Sequence, residues 1–170
     1  MTAVRGLALA CLLIVAVALQ VSVFPYVAYD GVVPNLALLV VVAAALSRGP
    51  QVAVPLGFAA GLLLDLAPPA DHIAGRWALA LVVVGFLAGR VRQDARTSAL
   101  AAVVTVAACS FVGTSVFALS GLILGDPAMP AVDALAVIPV AVVWDVLLTP
   151  FVLPPAMLLF RRLESRQVAY

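Results

Sequence analysis

Lysine is absent from this chain, histidine occurs once, and cysteine occurs twice. Charge of either sign is scarce: Asp, Glu, Lys and Arg together make up 10% of the 170 residues. A soluble domain carries roughly 25%, so the chain lacks the surface that would keep it in water. Cys11 and Cys109 both sit inside apolar runs, which excludes a CxxC pair, a Cys/His metal cluster and a disulfide framework. They read as small buried apolar side chains. The lone His72, beside Asp71 in a loop, is too little for a metal site and reads as a solvated loop residue. No glycine-rich phosphate loop, GxSxG or HExxH occurs in the context each requires. The sequence therefore implies no catalytic residue, no cofactor and no metal. A net charge of +1 gives no basis for nucleic-acid binding.

What the chain has in quantity is apolar sequence. It is 66% hydrophobic, with a mean hydropathy of +1.25. A membrane-spanning helix needs about 20 apolar residues, in a range of roughly 17 to 25. Six runs qualify or come close: Gly6 to Phe24, closed by Pro25; Pro34 to Leu46, with Pro34 in the first turn; Val52 to Leu66, ended by Pro68 and Pro69; Trp77 to Gly89; Ser98 to Leu124; and Ala134 to Phe160. The first lacks an A-x-A-like cleavage site and is read as an uncleaved helix rather than a signal peptide.

The arginines orient these runs. With six crossings from a cytoplasmic start, Arg5, Arg48, Arg90, Arg92, Arg96, Arg161, Arg162 and Arg166 all fall on the cytoplasmic side, and only Arg76 falls outside. The outer loops carry Asp30, Asp71, Asp126 and Asp133. Basic residues in short loops are retained in the cytoplasm during insertion. The expectation is thus an all-α, polytopic membrane protein, one transmembrane domain over residues 1–170, with six transmembrane helices and both termini cytoplasmic. Five crossings would strand one arginine-bearing end outside. The Arg90 to Arg96 stretch reads as a short loop that anchors topology at the lipid headgroups.

Runs two, three and four are thin for full spans and are expected to be tilted, re-entrant or shielded by neighbours. Run six holds Pro139, Pro150, Pro154 and Pro155, and the adjacent pair is expected to break it in two. Gly57-Phe-Ala-Ala-Gly61 recurs as Gly85-Phe-Leu-Ala-Gly89. Glycines four apart share a helix face and let backbones approach closely in lipid, so runs three and four are expected to pack as a hairpin. Generic helix packing is the plainer alternative.

Two carboxylates lie within the apolar runs. Gly57, Gly61 and Asp65 fall on one stripe of run three, so Asp65 points at another helix, towards the outer end. An ion pair with Arg76 or a helix-end anchor is the ordinary reading; partner docking or a solute site is the functional one. Asp145 is about 11 residues, or roughly 16 Å, into run six, near the middle of a bilayer about 30 Å thick. An ionised Asp there costs on the order of 2.5–3.5 kcal/mol to insert. It needs interior partners, for which Thr149, the carbonyls near Pro150, and Thr105, Ser110, Thr114, Ser115 and Ser120 of run five are candidates.

These landmarks together resemble one family. Pro34-Asn-Leu-Ala-Leu-Leu, Arg48-Gly-Pro, Gly57-Phe-Ala-Ala-Gly-Leu-Leu-Leu-Asp65-Leu, Asp145-Val-Leu-Leu-Thr-Pro150 and Arg161-Arg162 occur in this order, and the chain is similar over nearly its whole length to the rod shape-determining protein MreD family. The resemblance implies a non-enzymatic subunit of the cell-elongation machinery in the bacterial plasma membrane. It implies binding to MreC, a single-span protein, beside the glycosyltransferase RodA, the elongation transpeptidase and the filament protein MreB, in support of lateral peptidoglycan synthesis. It also implies a fold similar to the substrate-binding subunits of energy-coupling-factor (ECF) transporters, which gives the alternative function, a small-solute-binding membrane subunit. Gly57, Gly61, Asp65, Arg76, Gly85, Gly89, Asp145 and Thr149 are the candidate packing or partner-contact residues.

Overall fold

The computed structural model describes residues 3–68, 72–95, 98–125 and 131–163, with side chains from residue 6 onward and, in the last stretch, from residue 136 onward. Arg96, Arg166, Asp71 and Asp126 lie outside the described residues. The structure is all-helical: α1 Ala3–Ser22, a 3-10 turn Phe24–Val27, α2 Leu36–Arg48, α3 Pro50–Leu66, α4 Arg76–Arg90, α5 Arg92–Ala95, α6 Ala99–Leu124 and α7 Ala131–Arg162. Among the described residues there is no strand, only an isolated bridge between Tyr29 and Val32. Two helical stretches, α6 and Ala136–Arg162 of α7, are long and apolar enough to cross a membrane.

The bundle is organised around α2. Every residue from Leu36 to Ser47 is buried, and a helix apolar on all sides is one that its neighbours enclose. It touches α1, α3, α4, α6 and α7, which follow one another around it in that order, with α1 and α7 facing each other across a groove floored by α2. Shielding by neighbours is therefore how this short helix is accommodated. Outside the ring the surface stays apolar, with large side chains such as Ile123 and Phe151 exposed. Apolar surface on that scale marks a lipid or partner contact.

Gly49 joins α2 to α3 without a loop. Its φ of 81° is open to glycine at no steric cost, and it serves as C-cap of one helix and N-cap of the next. The α3–α4 contact is the most extensive in the molecule, and it runs antiparallel. A Cβ on Gly57 would strike the Leu81 carbonyl, and one on Gly61 would strike the Ala78 backbone. From the other side, Gly85 would meet the Ala53 oxygen at 2.7 Å and Gly89 the Pro50 nitrogen at 2.6 Å.

Several boundaries differ from the sequence reading. α2 begins at Leu36 because the Asn35 side chain accepts a hydrogen bond from the Leu38 N–H, so Pro34 precedes the helix instead of lying in its first turn. α3 starts at Pro50, where a missing N–H costs nothing. The Arg90–Arg96 stretch is not simply a loop, since Arg92–Ala95 forms one helical turn. Asp133 lies on the helical backbone of α7, not in a loop. α7 is continuous through all four of its prolines. Each proline removes one N–H from the ladder, and α7 is held in the bundle by packing on α2 and α6. Cys11 is exposed rather than buried, while Cys109 is buried.

Candidate functional site

The polar side chains of the interior gather at buried helix ends. The first turn of any helix leaves N–H groups without an intrahelical partner, and a buried one needs an acceptor. At the start of α2 three such groups are met by side chains from two other helices and from the α2 N-cap itself. Asn35 N–H donates to Asp145 Oδ1 of α7 at 2.7 Å. Ala37 N–H donates to Gln20 Oε1 of α1 at 3.2 Å. Leu38 N–H donates to Asn35 Oδ1 at 2.9 Å. The second oxygen of Asp145 accepts the Ser110 hydroxyl of α6 at 2.7 Å. Asp145 is 1% exposed, so one carboxylate ties α2, α6 and α7 together inside the bundle.

Thr149 is buried but is not a partner of that carboxylate. Its hydroxyl donates to the Asp145 main-chain oxygen at 2.7 Å, the back-bond common for hydroxyls within helices. Of the run-five hydroxyls, Ser110 alone reaches the Asp145 carboxylate among the described residues. Thr105 donates to Ala101 O and Ser120 to Phe117 O.

Asp65 does for α4 what Asp145 does for α2. From the end of α3 it accepts the Gly75 N–H at 2.9 Å, the Trp77 N–H at 3.1 Å and the Ala78 N–H at 3.1 Å. His72 Nε2 lies 3.1 Å from its Oδ1, so the histidine is held against the bundle instead of being a solvated loop residue. A negative charge at a helix N-terminus is further favoured by the helix dipole.

Arg76 turns away from Asp65. Its Nε and Nη2 donate to the Phe117 carbonyl at 3.2 and 2.8 Å, and its guanidinium lies 3.9 Å from the Phe117 ring centroid. Trp77 stacks on the same ring at 4.3 Å, and His72 meets it edge-on at 5.3 Å. The guanidinium occupies the space a side chain at Gly121 would fill. At the opposite end Arg92 donates to the Leu46 and Ser47 carbonyls, closing the C-terminus of α2, and Arg48 reaches Phe160 O of α7 at 3.5 Å.

The eight candidate residues thus fall into separate places. Gly57, Gly61, Gly85 and Gly89 line the α3–α4 contact; Asp65 and Arg76 stand at one end of it; Asp145 and Thr149 sit across the bundle at the start of α2. Sequence reasoning missed Gln20 and Phe117. A glutamine in an otherwise apolar first helix was the available signal for the first; an aromatic in an apolar helix gave none for the second. Chemically the arrangement satisfies helix ends. Both buried carboxylates direct their oxygens at N–H, hydroxyl or imidazole groups of the protein itself.

A family model described as rod shape-determining protein MreD matches residues 2–163. Neither a curated protein nor a solved structure matches the chain.

Proposed function

Since the chain belongs to the family of the rod shape-determining protein MreD, we propose that it is a multi-pass, non-enzymatic subunit of the bacterial cell-elongation machinery in the plasma membrane. In this reading α1, α2, α3, α4, α6 and α7 are six crossings forming a single domain, and both termini are cytoplasmic. The protein binds an MreC-like single-span partner and supports lateral peptidoglycan synthesis beside RodA, the elongation transpeptidase and MreB. Its other partner is the lipid bilayer.

One observation carries the scaffold reading. Asp65 and Asp145, the two buried carboxylates among the described residues, have their oxygens taken by helix ends and neighbouring side chains. A solute-binding subunit would aim such groups into a cavity, as ligand pockets do with their few polar groups. The arginines support the orientation. Arg48, Arg90, Arg92, Arg161 and Arg162 all follow or end helices at one end of the bundle, where α2 and α7 meet through Arg48 and Phe160.

Purification from native membranes tests the function, with the tag on this chain and none on the partner. Enrichment of a single-span protein is expected; enrichment of an ATPase module instead would favour the transporter alternative. Reporter fusions at residues 5 and 170 test the topology, and periplasmic activity at either position would overturn the six-crossing arrangement.

A further inference from the structure

The head of α2 brings four buried polar side chains together: Gln20 of α1, Asn35 at the α2 N-cap, Ser110 of α6 and Asp145 of α7. One atom among them is left over. Asn35 is 6% exposed, and its side-chain oxygen accepts the Leu38 N–H, which fixes which end of the amide is oxygen and which is nitrogen. Nδ2 therefore points the other way, and among the described residues no acceptor lies within hydrogen-bond distance of it. Buried donors are almost always paired, with protein or with ordered water, and hydrocarbon offers no substitute. Ser47 Oγ, at the far end of α2, is unpaired as well. A serine hydroxyl within a helix, however, can rotate onto the carbonyl four residues back. Asn35 has no such freedom, because turning its amide would abandon the Leu38 N–H.

We propose that Asn35 Nδ2 donates to a water molecule held at the head of α2 and shared with the Asp145 carboxylate. Covalent geometry keeps Nδ2 within about 5 Å of the Asn35 main-chain nitrogen, which lies 2.7 Å from Asp145 Oδ1. Two hydrogen bonds of about 2.9 Å placed end to end cover nearly 6 Å, so one water spans the greater part of that range. The acceptors have capacity left. A carboxylate offers about four lone-pair sites, of which the Asn35 N–H and the Ser110 hydroxyl take two. Gln20 Oε1, close by, accepts the Ala37 N–H and has a second lone pair. An internal water makes about three hydrogen bonds, which one donor and two such acceptors supply. Size selects water over a solute: Nδ2 is enclosed, and Pro34 beside it is fully buried. The water completes a polar network that joins α1, α2, α6 and α7. The proposal goes beyond the scaffold reading and does not depend on the identity of any partner.

Asn35 is the only asparagine in the chain, so isotope-labelled asparagine gives a single side-chain NH2 signal from the full chain in lipid nanodiscs. The expected result is a cross-peak from those protons to the water frequency, with opposite signs in laboratory-frame and rotating-frame Overhauser spectra. Opposite signs mark a held water, whereas proton exchange gives one sign in both. The cross-peak should persist in Ser110→Ala, because it does not arise by relay through that hydroxyl. Asn35→Ser keeps a capping oxygen for the Leu38 N–H and deletes the amide donor. It should lower the unfolding midpoint in a mixed-micelle denaturant series through loss of the held water. No cross-peak in the unaltered protein, a cross-peak of one sign in both spectra, or its loss in Ser110→Ala would each overturn the proposal. So would an Asn35→Ser midpoint at or above that of the wild type, the result for a donor that the fold leaves unpaired. Co-purification of the single-span partner is read in parallel. If it persists while the cross-peak is absent, the water site fails and the scaffold function stands.

Discussion

Replacing Asp145 separates what its shape supplies from what its charge supplies. Asp145→Leu removes both acceptors and puts a bulkier apolar side chain in their place. The Asn35 N–H and the Ser110 hydroxyl, both buried, are then left without the bonds they make. A stranded buried donor costs about 1–3 kcal/mol, whereas side-chain hydrogen bonds in membrane proteins average about 0.6 kcal/mol and reach about 1.7. The serine can recover a bond by donating back to its own helix, as Thr105 does to Ala101; the Asn35 N–H cannot turn elsewhere. The net loss is therefore about 2–4 kcal/mol, dominated by the amide. Asp145→Asn retains one oxygen for the Asn35 N–H and offers an amide to Ser110, whose hydroxyl accepts as readily as it donates. It should lose less than about 1 kcal/mol. Adding Ser110→Ala to Asp145→Leu should then cost nothing further, since replacing both partners by apolar groups is close to neutral. Unfolding in a mixed-micelle denaturant series measures all four proteins on one scale. The reasoning is refuted if Asp145→Leu unfolds with the wild type. A loss in Asp145→Asn as large as in Asp145→Leu would show instead that the ionisable group itself is needed.

Other substitutions probe other contacts. Gly61→Leu should prevent the α3–α4 pair from closing, because the new side chain meets the Ala78 main chain and not a movable side-chain tip; Gly6→Ala, with nothing within 4 Å of its Cβ, should accumulate normally, and equal accumulation of the two would contradict the packing. Asp65→Ala removes the acceptor for three N–H groups of α4 and should cost about 2–4 kcal/mol, seen as faster amide exchange confined to Gly75–Ala78; uniform exchange along α4 would argue against a local cap. Cys11 should react with a maleimide in micelles while Cys109 stays protected until unfolding, so labelling of both at one rate would show the burial to be wrong.

The helices were legible because long apolar runs punctuated by proline, glycine and arginine leave few other options, and the glycine spacing already pointed to the pairing of α3 with α4. Which run lies at the centre was harder to read. In a chain this uniformly apolar, a helix facing lipid and a helix facing protein carry nearly the same residues, so periodicity does not separate the enclosed α2 from its exposed neighbours. The positions of Asp65 and Asp145 marked places that need partners, but the partners are main-chain N–H groups, which every residue has and which no sequence pattern flags. Asp145 meets Asn35 across 110 residues. Residue choice suggested Arg76 for Asp65 and Thr149 for Asp145; geometry gave both carboxylates to helix ends. The proline pair in α7 misled for a related reason, since local chemistry predicts a break that packing overrides.

The closure of α2 also sets an order on biosynthesis. The ribosome releases α2 early, yet the carboxylate that receives the Asn35 N–H arrives only with α7, about 110 residues later. Until then the hydroxyl of Ser110 and the amide of Asn35 wait without the residue that joins them. A chain truncated before residue 145 would therefore keep the Asn35 N–H at its core without the acceptor it has here.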